Sequence, residues 1–206
     1  MKSKLMFYGI IISGLMYLSC SNNKVDEIKS SEKMIISKKE AMLSVINERK
    51  SVRSFIKDKA VLSEDIETLL RAGMAAPSGK DVRPWEFVVI NDRSVLDAMA
   101  SELRNAKMLE DAPMAIVVCG DSIKSFYWYL DCAAATQNIL LAAEAIGLGA
   151  VWTAAYPYED RMEVVTRYLE LPSNILPLVV IPMGYPSGEN SPKDKFDESR
   201  IHYNVF

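Results

Sequence analysis

Pro113-Met114-Ala115-Ile116-Val117-Val118-Cys119-Gly120 sets six uncharged apolar residues between a proline and a glycine. The run reads as a buried strand bounded at Pro113 and Gly120. Upstream, Glu86 to Asn91 is a second strand, because Phe87-Val88-Val89-Ile90 is too apolar and too short for a surface helix. Downstream, Leu178 to Met183 is a core strand ahead of Gly184-Tyr185-Pro186, and Ala150 to Thr153 is a short one. Helical spacing fills the intervals. Met42, Leu43 and Ile46 mark a helix over 39–48. Ser63 is the expected N-cap of a helix with Ile66, Leu69, Leu70 and Gly73 on one face. Val95, Leu96, Met99 and Leu103 mark 94–104, and amphipathic spacing continues over 159–169. A long helix over 125–146 carries Cys132-Ala133-Ala134-Ala135, small residues that suit close helix approach and a subunit interface, and Gly147 and Gly149 terminate it. This order of strands and helices favours an α/β or α+β sandwich.

The chain has 206 residues, half of them hydrophobic and a quarter charged, which excludes a disordered, collagen-like or coiled-coil protein. The length suits one domain with a core of its own. A net charge of −3 leaves no basic footprint for nucleic acid. Three cysteines without a CxxC, and a single histidine, His202, argue against a disulfide framework, a zinc site or a histidine base.

The N-terminus reads separately. Lys2 and Lys4 precede an uncharged stretch, Leu5 to Ser19, too short for a comfortable transmembrane helix. It ends Tyr17-Leu18-Ser19-Cys20 before polar Ser21-Asn22-Asn23-Lys24. The pattern resembles a bacterial lipoprotein signal over 1–19, with Cys20 as the lipidated residue and 20–38 as a polar tether. Tyr17 stands where an aliphatic residue is usual, and a plain signal peptide or uncleaved anchor is the alternative.

Three segments carry groups suited to phosphates or heterocycles. In Arg49-Lys50-Ser51-Val52-Arg53, residues 49, 51 and 53 share one face of an extended chain. Two guanidinium groups and a hydroxyl suit a phosphate or an anionic ring edge, although cations at a helix end also oppose its dipole. Pro77-Ser78-Gly79-Lys80-Asp81-Val82-Arg83-Pro84-Trp85 lies in a loop between a helix and a core strand, where binding groups concentrate. The bland alternative is a turn with Trp85 entering the core. Lys193-Asp194-Lys195, in the polar tail, alone reads as a solvated charge run. Gly147-Leu148-Gly149 lacks the context of a dinucleotide fingerprint. Cys119 and Cys132 read as buried fillers, with pairing as the alternative. Phe126-Tyr127-Trp128-Tyr129 suits a pocket wall or a dimer core.

Together these segments resemble the FMN-dependent nitroreductase family over about residues 40–206. The marks are Arg49 to Arg53, Ala76-Pro77-Ser78 leading to Arg83-Pro84-Trp85, and Gln137 to Ala143 ahead of Gly147-Leu148-Gly149. Trp152-Thr153 and Gly184-Tyr185-Pro186 with the basic tail complete them. Asp81 and Arg83 stand where the family commonly has Asn and Gln. The resemblance implies an α+β sandwich over 39–206, with a central mixed sheet flanked by helices, in an interlocked homodimer with FMN at the interface. Arg49, Lys50, Ser51, Lys193 and Lys195 would belong to the cofactor-binding set, most of them at the phosphate. Arg53 would face the N1/O2 edge of the flavin and tune it. Pro77, Ser78 and Gly79 would cover the ring from the partner subunit, with Asp81 and Arg83 at the pyrimidine edge or pocket wall. Backbone groups around Trp152, Thr153 and Ala154 would lie near N5. No protein nucleophile is required, because the flavin carries the redox chemistry. A reduced nicotinamide or other donor and a nitroaromatic, quinone or related acceptor would bind in turn. A lipid anchor through Cys20 implies the cell envelope, where another donor could serve or the protein could be a non-catalytic flavin-binding or scaffold lipoprotein. Translation from Met34 or Met42 would instead give a cytoplasmic enzyme.

Overall fold

The computed structural model describes residues 37–206. The expectations for the segment 1–19, for Cys20, for most of the tether and for Met34 lie outside the described residues. The chain divides into two units, Met1–Ser44 and Val45–Phe206. Of the first, residues 37–44 are described and are helical; this helix, α1, runs over 37–48. No helix among the described residues is long and apolar enough to cross a membrane.

The second unit is built on five strands: β1 (Trp85–Ile90), β2 (Met114–Asp121), β3 (Gly149–Ala150), β4 (Thr153–Ala154) and β5 (Ile175–Gly184). Their order is β1-β2-β5-β3, and β4 also pairs with β5. All of these pairings are antiparallel. One parallel bridge, Ser51 to Ala150, makes the sheet mixed at its edge.

The apolar run of β2 is buried from Met114 to Gly120 because both faces of the sheet are covered. Side chains alternate across a strand. Met114, Ile116 and Val118 therefore pack in the cluster that holds Leu69 of α2 (Ser63–Met74) and Cys132, Ala135, Ile139 and Ala143 of α4 (Trp128–Ala145). Ala115, Val117 and Cys119 pack on the other side with Leu96, Met99 and Ala100 of α3 (Arg93–Glu102) and Val165 of α5 (Glu159–Tyr168).

Several boundaries differ from the sequence reading, each for a local reason. Leu62, not Ser63, is the N-cap of α2, and no side chain caps it. Asp92 caps α3 by accepting the Ser94 N–H at 2.8 Å. That helix ends at Glu102, where Leu103 leaves helical geometry, and a 3-10 turn over Arg104–Glu110 follows. Arg93 pins the far end of that turn by donating to the carbonyls of Ala112 and Leu109.

Gly147 ends α4 with φ of 77°. The Leu148 N–H reaches the Ala143 carbonyl at 2.8 Å and the Gly147 N–H the Glu144 carbonyl at 3.1 Å, a Schellman closure. Gly149 is no terminator; it belongs to β3. The expected strand over 150–153 is broken at Val151 and Trp152 into β3 and β4.

Gly149 and Gly184 face each other across β3 and β5. A Cβ on Gly149 would stand 2.6 to 2.9 Å from three side-chain atoms of Val52, and one on Gly184 would stand 2.5 and 2.6 Å from the Pro113 ring. Neither neighbour is a flexible chain end. Gly149→Ala should destabilise the protein by about 1–3 kcal/mol through overpacking. Adding Val52→Ala should recover part of that loss, with a coupling of about 0.5–3 kcal/mol. Urea unfolding of the two single variants and the double variant measures it; strict additivity would mean that the methyl and Val52 do not compete for space.

Candidate functional site

The segment after α1 is sewn onto the sheet edge. The Arg49 N–H still closes a helical turn on the Val45 carbonyl, at 3.1 Å. Ser51 then bridges Ala150, and the Val52 N–H donates to the Ala150 carbonyl at 3.1 Å. Ser51 and Arg53 are exposed while Val52 between them is buried, the alternation that an extended segment requires. Phe55 is buried and bridges Pro186. The Ile56 N–H reaches the Tyr185 carbonyl and the Ser187 N–H reaches the Ser54 carbonyl, both at 2.9 Å.

Lys50 reaches a residue of α4. Its ammonium lies 2.7 Å from the Glu144 carboxylate, and both side chains are largely sheltered. This pair ties the segment to α4 and balances the Lys50 charge within the fold.

Arg49, Lys193 and Lys195 are brought together. They line an open cleft of about 500 Å3 with Asp194, Ile46, Asn47 and Phe196. Three cations against one carboxylate suit a dianionic ligand. The proximity unites residues 144 positions apart in sequence, Arg49 and Lys193.

The loop after α2 is held in an unusual conformation. Lys80, Asp81 and Arg83 have φ of 54°, 56° and 52°, left-handed values that non-glycine residues adopt at a cost. Side chains hold the backbone there. Ser78 Oγ accepts the Arg83 N–H at 3.0 Å, and Lys124 donates to the Arg83 carbonyl at 3.2 Å. The Arg83 guanidinium grips the Asp81 carboxylate through two bonds of 2.7 and 2.6 Å. That hydrogen bonding holds the Asp81 carboxyl below its usual range and raises Arg83 further. Both side chains are exposed, and their opposite charges offset each other within the loop. Pro77 is exposed, and Ser78 and Gly79 are half-buried.

Asp131, which the sequence reading missed, anchors this loop. It is 6% exposed, accepts the Gly79 N–H at 2.8 Å through Oδ1, and accepts the Ser125 hydroxyl at 3.2 Å through Oδ2. The signal available was a single carboxylate inside the otherwise apolar first turns of α4. An acid there needs a partner to offset its burial.

Trp152 is partly exposed beside β3. Thr153 is buried, and its hydroxyl donates to the Val180 carbonyl at 2.7 Å, so its side chain serves the sheet. Ala154 is half-buried on β4. Among the described residues, no hydrogen bond or ion pair joins the loop 77–83 to the 49–53 segment or to Lys193 and Lys195. Cys119 and Cys132 are free and buried. The Cys132 thiol donates to the Cys119 carbonyl at 3.2 Å, and burial pushes both thiols up to about 12, so neither supplies a thiolate.

Comparison with known proteins gives this arrangement a context. A crystal structure from Bacteroides thetaiotaomicron, carrying the provisional name NADH dehydrogenase/NAD(P)H nitroreductase, is 67% identical; the match covers 81% of this chain and 98% of that one, with a TM-score of 0.79. A protein of the same provisional name from Methanothermobacter thermautotrophicus is 44% identical over 165 residues, which is 78% of this chain and 85% of that protein. An FMN-dependent nitroreductase from Clostridium difficile is 28% identical over 80% of this chain and 99% of its own, with a TM-score of 0.76. The model of the nitroreductase family matches residues 46–185, a span that contains the 49–56 seam, the strained loop and every strand of the sheet, and the chain belongs to that family.

Proposed function

We propose that this nitroreductase-family oxidoreductase binds FMN and passes electrons from a reduced nicotinamide, or another donor, to nitroaromatic, quinone or related acceptors, with donor and acceptor using one pocket in turn. The observation that carries the reading is the convergence of Arg49, Lys193 and Lys195 on one cleft. Their chemistry fits the FMN phosphate, and the exposed edge of 49–53 continues from it toward Arg53. FMN supplies the hydride-accepting and hydride-donating centre when bound. The chain's own groups bind, orient and tune. Arg49, Lys193 and Lys195 would hold the phosphate with Ser51; Arg53 would face the N1/O2 edge; the backbone at Trp152, Thr153 and Ala154 would border N5. Pro77, Ser78 and Gly79 would cover the ring of a partner subunit's cofactor, with the Asp81–Arg83 pair at the wall of that pocket.

The reading includes a homodimer. Ile46, Phe196, Tyr203 and Phe206 are exposed, with Phe206 fully so, and side chains of this kind favour burial against a second copy. Deleting Ile201 to Phe206 should weaken the dimer seen by light scattering; a monodisperse full-length monomer would contradict it. For location, we propose attachment to the cell envelope through lipidated Cys20. The mass of the native N-terminus separates a lipidated Cys20 from an unprocessed start or one at Met34 or Met42.

The purified protein should be yellow, and its supernatant after heat denaturation should contain FMN. A colourless protein that takes up no flavin in titration removes the proposal and leaves a scaffold. Arg49→Ala should chiefly weaken FMN binding. Arg53→Ala should retain most of it, because the phosphate keeps Arg49, Lys193 and Lys195. Reduction places negative charge near N1, so loss of a charge-assisted contact of roughly 1.5–3 kcal/mol should lower the midpoint potential by tens of millivolts, about 30 mV per 1.4 kcal/mol. Potentiometry of the bound flavin checks this. An Arg53→Ala protein that loses FMN while its residual flavin keeps the parent potential would make Arg53 a phosphate ligand instead.

A further inference from the structure

The pairing of β4 decides where the polar atoms of Ala154 point. The Val151 and Ala155 N–H groups donate to the carbonyls of Pro182 and Leu178 at 3.3 and 3.0 Å. Thr153 stands opposite Val180 and Ala154 opposite Val179. Residues 151, 153 and 155 therefore take the hydrogen-bonded positions on β5. Ala154 takes a non-hydrogen-bonded one, with its N–H and C=O both turned to the outer edge.

That outer carbonyl receives two side-chain donors from separate elements. Asn105 Nδ2, from the 3-10 turn Arg104–Glu110, reaches it at 3.2 Å, and Arg161 Nη1, from the first turn of α5, also at 3.2 Å. Asn105 makes its bond at a cost. Its Oδ1 is buried and has no partner among the described residues, an uncommon state for a buried polar atom. Arg161 is held in place independently, lying 3.9 Å over the Tyr158 ring. An edge carbonyl needs only one partner, and water serves as well. Two preorganised donors, one of them cationic, do more than satisfy it: they fix the orientation of the peptide. The N–H of Ala154, on the same edge, is fixed with it and left without a strand partner.

We propose that Asn105 and Arg161 are positioning residues that hold the Ala154 peptide so that its N–H is a fixed donor to N5 of the flavin. This rests on the reading that FMN binds beside Thr153 and Ala154. The consequence has a sign. Oxidised flavin offers a lone pair at N5, whereas the reduced ring carries hydrogen there. A fixed donor at N5 therefore favours the oxidised form, and loosening it raises the midpoint potential. This is the opposite direction from loss of Arg53.

The test uses the FMN-loaded full chain with Asn105→Leu, which removes the donor and the unpaired acceptor at similar size, and with Arg161→Met. Each variant should change the ratio of affinities for the two redox forms by up to about tenfold, a rise of up to about 30 mV. Arg161→Lys, which keeps a cationic donor, should restore part of the parent value. In the parent protein, amide exchange at Ala154 should slow when FMN is added, a measurement that needs no variant to fold. Variants that lose thermal stability but keep the parent potential would show a purely structural role and overturn the inference, as would an Ala154 amide indifferent to FMN. A parent protein that binds no FMN would instead overturn the reading of the site on which the inference rests.

Discussion

The absence of two methyl groups shapes the whole candidate site. Gly149 and Gly184 face each other across the β3–β5 pair, and the room they leave is filled by Val52 on one side and Pro113 on the other. Val52 is the buried residue between exposed Ser51 and Arg53, so its depth sets how close those side chains lie to the sheet edge. Phe55, three residues on, packs with Val52, Ala112 and the partly buried Met108, which fixes the exit of the segment. Arg49 then stands where the tail can bring Lys193 and Lys195 to it. The exposed segment is thus seated on the sheet edge by packing against glycines.

Much of this was legible in the sequence, and the reasons differ by element. The apolar runs of β1, β2 and β5 are short, so period and length agree on strands. The closure of α4 at Gly147 was legible because only a left-handed residue completes that turn. Gly149, two residues later, looks the same in sequence and does a different job, since space for a distant valine leaves no local trace. The 3-10 turn Arg104–Glu110 was hidden for a similar reason. Its Leu109 carbonyl, and that of Ala112 just past it, are held from outside by Arg93, a tertiary contact that no local propensity records.

The site residues divide along the same line. The alternation of Arg49, Ser51 and Arg53 is a property of the backbone and could be read directly. Lys50 shares that stretch yet is drawn to Glu144, a residue 94 positions away, and only the fold reveals the pair. Asp81 and Arg83 looked like two charges added to a pocket. In the folded loop each is the other's partner, so the loop offers less net charge than its composition suggests.

Charge and rigidity are therefore distributed unevenly around the cleft. Around the cleft of Arg49, Lys193 and Lys195 the cations outnumber the carboxylates, and the two lysines are exposed, which suits a ligand that brings its own negative charge. On the loop side charges are paired off, and a buried carboxylate, Asp131, is spent on one backbone N–H and one hydroxyl. A backbone with three left-handed non-glycine residues is strained and needs support. Asp131 and Lys124 hold it from outside, and the Ser78–Arg83 and Asp81–Arg83 bonds hold it from within. At Ala154 the same economy recurs, with two side chains fixing one peptide. Asp131, Ser78, Asn105 and Arg161 thus do their work on the backbone, each bonding a peptide group of another residue.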